Sequence, residues 1–172
     1  INDRLVKVIY ENRHKKILLA AHSMGALIAY DVLTNLPKEI TIDTLVTMGS
    51  PLGVPPLIKK LAKEKGVDLI ENMTTPESVS GAWYNILDEN DSITLNHRLE
   101  FYFKENVGKV KVIDVVANNN YQYGGLKNPH KAFGYLASME FANIAGNFMR
   151  SKDVSVFRKI ADMFAGFFRG KR

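Results

Sequence analysis

The sequence predicts an α/β protein with a mainly parallel sheet and helices on both faces. Three observations carry that expectation. Short apolar runs alternate with stretches whose apolar residues recur at helical spacing. Turn signals rich in Pro, Gly and Asn separate them. The bulk composition is that of an ordinary globular chain: of 172 residues, 46% are hydrophobic and 24% charged, enough for one domain with a real core.

The elements follow in order. Leu5, Val8, Ile9 and Asn12 fall at helical spacing over residues 3–13, an amphipathic helix that leads into the first strand. Ile17 to Ala21 is a fully buried strand. The apolar run then breaks at His22-Ser23-Met24-Gly25 and resumes over residues 25–31, where Ala26, Leu27, Ala29 and Tyr30 favour helix. "LPKEITI" is a turn, and "TLVTMGSPLG" a second buried strand that ends in a Gly-Ser-Pro loop. "PPLIKKLAKEKG" opens with proline and closes with glycine, as a short helix does. "AWYNILDENDSITL" contains a third strand running into an acidic loop, and "KVKVIDVVAN" is a fourth. The polar, Gly-rich loop "NNNYQYGGLKNPH" follows, then a helix over residues 131–150 and another over 154–169. The domain division expected is a core over 1–150 and a basic amphipathic helix over 151–172.

Several function classes fall away at this stage. The absence of cysteine excludes disulfides, thiolate metal sites and cysteine nucleophiles, and fits a reducing, cytoplasmic setting. The net charge of +5 sits in the tail: from Arg150 onward seven Lys/Arg stand against Asp153 and Asp162, and the rest of the chain is balanced. A body without surplus basic charge is not expected to bind nucleic acid. No apolar run approaches a membrane span. The chain begins Ile1-Asn2-Asp3, without methionine, so a fragment, a processed chain or a truncated one is expected.

Ser23 stands at a strand-to-helix reversal in "AHSMG", a form of G-x-S-x-G with Ala21 in place of the first glycine. A free serine hydroxyl is a weak nucleophile and needs a base in hydrogen-bond reach, oriented by an acid. The alternative role for Ser23 is a helix N-cap. The N–H of Met24 at the helix start would supply an oxyanion donor. Among four histidines, His130 follows the fourth strand, at the end of the sheet where α/β proteins place their chemistry. His14 lies before its strand, His22 points to the side of its strand opposite Ser23, and His97 sits among polar neighbours as a weaker candidate. For the acid, Asp91 lies just past the third strand. Asp88 is the alternative acid, or else it holds the turn through an Asx-type bond. Asp114, inside a strand, is expected to be structural.

"AAHSMGALIAYDVL", "VTMGSPLG", "WYNILDENDSI" and "NPHKAFGYL" stand in an order and at a spacing that resembles α/β-hydrolases. The alanine-first elbow looks like that of small bacterial lipases, and "GSPLG" is similar to the lipase and acyl-esterase branches, including inositol-deacylase-like proteins. The resemblance covers residues 15–145. It implies an α/β-hydrolase fold, Ser23 as nucleophile, Asp91 as acid and His130 as base. It further implies cleavage of carboxylic esters, small-molecule or lipid, through an acyl-enzyme, without metal or organic cofactor.

The sequence departs from that family at its start. The fold normally has three or more strands before the nucleophile strand, whereas one helix precedes it here, so an N-terminally truncated form is expected. The loop that usually supplies the second oxyanion donor is missing with them. The strand Ile17–Ala21 would then be an apolar sheet edge, covered by a missing N-terminal segment or by a second copy in a homodimer. In the tail, Phe157, Ile160, Ala161, Phe164 and Phe168 form an apolar stripe. It suits packing on the core, peripheral membrane contact, or a partner. A thioesterase or acyltransferase on the same three residues, and a silent binding module, are the competing functions.

Overall fold

The computed structural model of the chain describes residues 2–67, 72–94 and 98–151. The elements are α1 (Asn2–Glu11), β1 (Leu18–His22), α2 (Met24–Asn35), β2 (Ile42–Met48), α3 (Pro55–Glu64), β3 (Met73–Thr74), β4 (Val79–Leu87), β5 (Phe103–Lys104), β6 (Val112–Val116), β7 (Gln122–Tyr123), β8 (Leu126–Lys127) and α4 (Ala132–Leu136). A further helix, α5, occupies residues 139–151. The amphipathic helix expected at the C-terminus lies outside the described residues, as does His97.

Four strands form one parallel sheet in the order β1-β2-β4-β6, so the α/β fold with a mainly parallel sheet is as expected. Strands buried on both faces need apolar residues at successive positions rather than at alternate ones. Leu45 and Val46 of β2 illustrate this: both are wholly buried, on opposite faces. On one face Leu45, Trp83 and Val112 pack beneath α1, α2 and α3, with the rings of Tyr30, Trp83 and Phe103 meeting at 5.0–5.9 Å. On the other, Val46, Met48 and Ile86 pack against Tyr135 of α4 and Ile144 of α5.

A buried polar ladder crosses three strands in register. Trp83 Nε1–H donates to Thr47 Oγ1 at 3.1 Å, Thr47 Oγ1–H to Asn85 Oδ1 at 2.9 Å, and Asn85 Nδ2–H to Asp114 Oδ1 at 2.7 Å. Asp114 Oδ2 accepts the Glu100 N–H at 2.9 Å. Every buried polar group in this ladder has a partner, which is what burial requires, and Asp114 is structural as expected.

The parallel register brings the carboxyl ends of the strands level: His22 pairs with Met48, Met48 with Ile86, and Leu87 with Val116. Residues just past these four ends therefore share one edge of the sheet. β1 is an outer strand of this sheet.

Two expected elements differ. The single helix over 131–150 is two helices, α4 and α5, because Ser138 Oγ accepts the Phe141 N–H at 3.2 Å and so caps a fresh start. The loop 118–130 contains a small antiparallel hairpin, β7–β8, whose turn residues Gly124 and Gly125 take φ of 58° and 79°. Two residues at positive φ are what a tight hairpin turn demands. Among the described residues no helix is long and apolar enough to cross a membrane.

Candidate active site

β1 stops at His22, and the chain reverses at Ser23 into α2. Ser23 takes φ 54° and ψ −128°, a region that costs a residue other than glycine on the order of 1–3 kcal/mol. The surrounding structure holds it there. Its N–H donates to Met48 O at 3.0 Å, and its carbonyl accepts the Ala26 N–H at 2.9 Å. The side chain does not cap α2. Ser23 Oγ instead lies 2.8 Å from His130 Nε2.

His130 follows β6 and the hairpin, and its Nδ1 faces the Asp91 carboxylate at 2.9–3.0 Å. An ionised carboxylate only accepts, so the proton sits on Nδ1 and leaves Nε2 free to accept from the Ser23 hydroxyl. Asp91 is 1% exposed. Besides His130, its carboxylate takes the Ile93 N–H at 3.0 Å and the Tyr135 hydroxyl at 2.7 Å. Burial, first, and the bond to this carboxylate push the Tyr135 hydroxyl well above the usual phenol range, so it stays a donor.

The structure thus brings Ser23, His130 and Asp91 together, and it keeps Asp88 apart. Asp88 Oδ1 accepts the Asn90 N–H at 2.7 Å and Oδ2 the Asn119 N–H, the turn-holding arrangement that was its alternative role. Met24 opens α2, so its N–H belongs to the first turn, where no acceptor exists within the helix. Gly49, at the end of β2, has φ 52°, and a Cβ there would meet Asp91 Oδ2 and Tyr135 Cε2 at 3.0 Å and His130 Nδ1 at 3.3 Å. The missing side chain leaves Asp91 and His130 room to meet.

Three residues hold this site in ways the sequence does not show: His22, which is set aside there as a base, and Asn119 and Tyr135, which carry no candidate role there. His22 Nε2 lies 2.7 Å from the His130 carbonyl. Asn119 Nδ2 donates to Pro129 O at 2.6 Å and to Lys131 O at 2.9 Å. Tyr135 ties two points of the acidic loop together, since its oxygen also accepts the Asp88 N–H at 3.2 Å. His22 is the last residue of β1, Asn119 follows β6 and Tyr135 lies in α4, and no local pattern marks their contacts. Burial holds the His22 imidazole below its ordinary range, so the ring is neutral near pH 7.

A groove of about 270 Å³ is lined by Met24, Leu27, Ile28, Leu57 and Leu61 together with the polar Asn2, Asp31, Lys60 and Glu64. A larger cavity, about 580 Å³, lies against Phe101, Tyr102 and Val112, and none of Ser23, Asp91 or His130 lines it. Size does not locate the chemistry here. Among the described residues no group of three His, Cys, Asp or Glu side chains is placed to hold a metal ion.

Comparison with known proteins agrees with this geometry at a coarse level. Residues 3–79 match the family model described as Lecithin:cholesterol acyltransferase, a lipase-like acyltransferase family related to α/β-hydrolases. The match contains Ser23 and Met24 and ends before Asp91 and His130. It points to lipid acyltransferase or esterase-like activity. Neither the curated proteins nor the solved structures contain a match.

Proposed function

We propose that the chain is a serine hydrolase of carboxylic esters, lipid esters among them, working through an acyl-enzyme. The observation that carries this reading is the continuous hydrogen-bond chain from Ser23 Oγ through His130 to the buried Asp91. Ser23 attacks the ester carbonyl while His130 Nε2 takes its proton. Asp91 keeps the ring in the right tautomer and stabilises the imidazolium that forms. The Met24 N–H, at the positive end of α2, donates to the oxyanion. His130 returns the proton to the leaving alcohol. Water, activated by the same ring, then frees the acyl group from Ser23. The groove lined in part by Met24, Leu27, Ile28, Leu57 and Leu61 offers apolar surface to an acyl chain. No step calls for a metal or an organic cofactor.

Acyl transfer is the second reading, favoured by the family matched over residues 3–79. It differs only in the second half-reaction, where an alcohol replaces water. A fluorophosphonate probe is expected to label the wild type on one serine, with the label lost in Ser23→Ala. Adding a long-chain alcohol to an ester assay then separates the two readings: transfer gives a new ester, hydrolysis only free acid. A wild type that neither labels nor turns over esters would overturn both.

A further inference from the structure

The general base sits on a segment without regular structure, yet three consecutive carbonyls of that segment are each taken by a side chain from elsewhere. Pro129 O and Lys131 O accept the two N–H groups of the Asn119 amide at 2.6 and 2.9 Å. Between them, His130 O faces His22 Nε2 at 2.7 Å. A carbonyl only accepts, so His22 must carry its proton on Nε2. The donors are themselves held. His22 ends β1, and its ring packs 4.8 Å from the His130 ring and 6.0 Å from that of Tyr135. The Asn119 N–H is bound by Asp88 Oδ2. Its amide occupies the space where a Cβ on Gly134 would sit.

We propose that His22 and Asn119 are positioning residues that clamp the main chain of residues 129–131 and so set the distance between His130 and Ser23. This rests on the hydrolase reading above. Consecutive residues of the elbow then hold one residue at both ends: Ser23 meets the His130 ring, and His22 meets its carbonyl. The two donors come from opposite outer strands of the sheet, β1 directly and the residues just after β6. The whole width of the sheet therefore fixes the base against the nucleophile. Because a misplacement of about 1 Å between reacting groups costs on the order of 100-fold in rate, a clamp on the main chain is as consequential as the side-chain bonds it supports.

The test uses the full chain with His22→Leu, which keeps apolar bulk and loses the donor, and His22→Gln, whose amide N–H reaches to about the Nε2 position. Fluorophosphonate labelling separates rate from fold, because the fraction of serine finally labelled counts folded sites and the rate constant reports their geometry. His22→Leu is expected to label the same final fraction about 10 to 100 times more slowly, with the KM for a p-nitrophenyl ester nearly unchanged. His22→Gln is expected to recover most of the rate. Adding Asn119→Ala to His22→Leu is expected to cost less than the product of the two single losses, since both act on one segment.

A His22→Leu protein that labels at the wild-type rate overturns the clamp and leaves the hydrolase reading standing. So does a His22→Gln protein as slow as His22→Leu. If the leucine variant fails to fold, nitrogen-15 NMR of the wild-type histidine rings decides. A slowly exchanging Nε2–H on His22 near pH 7 supports the clamp, and the Nδ1–H tautomer overturns it. That readout stands even for a protein that never labels, an outcome that counts against the hydrolase reading alone.

Discussion

Ser23 and His130 approach to 2.8 Å, yet the chain delivers them by different routes. Ser23 is placed by regular structure: a strand, a helix and one strained residue between them, all within 18 consecutive positions. His130 is placed by irregular chain whose main-chain groups are tied down by side chains 10 to 108 residues away. The strand-to-helix turn at Ser23 therefore obeys local rules, with strain repaid by the ladder bond to Met48 and the turn bond to Ala26. His130 obeys long-range ones, its main chain tied down by more than one side chain. Damage at the Ser23 turn should be all or nothing. Damage to the ties on the His130 main chain should be graded.

The two carboxylates of the acidic loop sharpen that contrast most. Asp91→Asn replaces the acceptor facing His130 Nδ1 with an amide and removes the tautomer control, so on the proposed function kcat is expected to fall by about 10⁴-fold, as the equivalent change does in a serine protease, with thermal stability reduced much less. Asp88→Asn is expected to do the reverse. It leaves the His130 contacts intact but turns an amide N–H toward either Asn90 or Asn119, which costs about 1–3 kcal/mol of stability. Steady-state rates and melting curves on both variants check the pair. Similar kcat losses for the two would mean that the carboxylates do not divide their work in this way.

Tyr135→Phe comes next. The wholly buried hydroxyl donates to Asp91 Oδ2 at 2.7 Å and accepts from the Asp88 N–H at 3.2 Å. Losing a hydrogen bond to a charged group costs about 1.5–3 kcal/mol of stability. With one donor fewer, the Asp91 carboxylate is held less firmly against His130, so kcat is expected to fall with the melting temperature. A phenylalanine variant that loses stability but keeps its kcat would separate Tyr135 from the chemistry.

The same contrast explains which parts of the fold and the site are legible in the amino-acid sequence. The alternation of strands and helices is legible because burial demands apolar runs, Ser23 and Asp91 because each lies just past a strand end, and His130 because the loop that follows β6 carries it. Two local signals are present but overridden by a smoother pattern. Ser138 interrupts an otherwise helical periodicity, and Gly124-Gly125 sits in a run polar enough to pass for plain loop. The clamp is not legible at all. Asn119 stands between two other asparagines, and nothing local marks the middle one. Tyr135 looks like any apolar residue of a helix. His22 is excluded as the base because its side chain leaves the strand on the other face, but its partner is 108 residues distant.

Acid should expose His22 as a linked group. Burial lowers its affinity for a proton in the folded chain, while the unfolded chain titrates near pH 6.5. Between those two values the unfolded state binds the proton and the native state does not, so stability rises with pH and falls as pH drops below about 6.5. His22→Gln removes this contribution. Its melting temperature is expected to decline less between pH 7 and pH 5 than that of the wild type. Parallel curves for the two proteins would show that His22 titrates alike in both states.

The smallest expected effect tests the elbow itself. In a G-x-S-x-G turn the final glycine reads as a steric necessity, and at Gly49 that logic holds, since a Cβ would press on Asp91 and Tyr135 and φ is 52°. At Gly25 it does not: a Cβ there meets nothing within 4 Å, and the residue lies in the first turn of α2. Glycine inside a helix costs up to about 1 kcal/mol relative to alanine. Gly25→Ala is therefore expected to raise the melting temperature by no more than about 2–4 °C, with the labelling rate of Ser23 within about twofold of wild type. A large loss of labelling with the fold intact would mean that something approaches this corner during the reaction. Whatever it was would have to come close enough to the Ser23 hydroxyl to be part of the site.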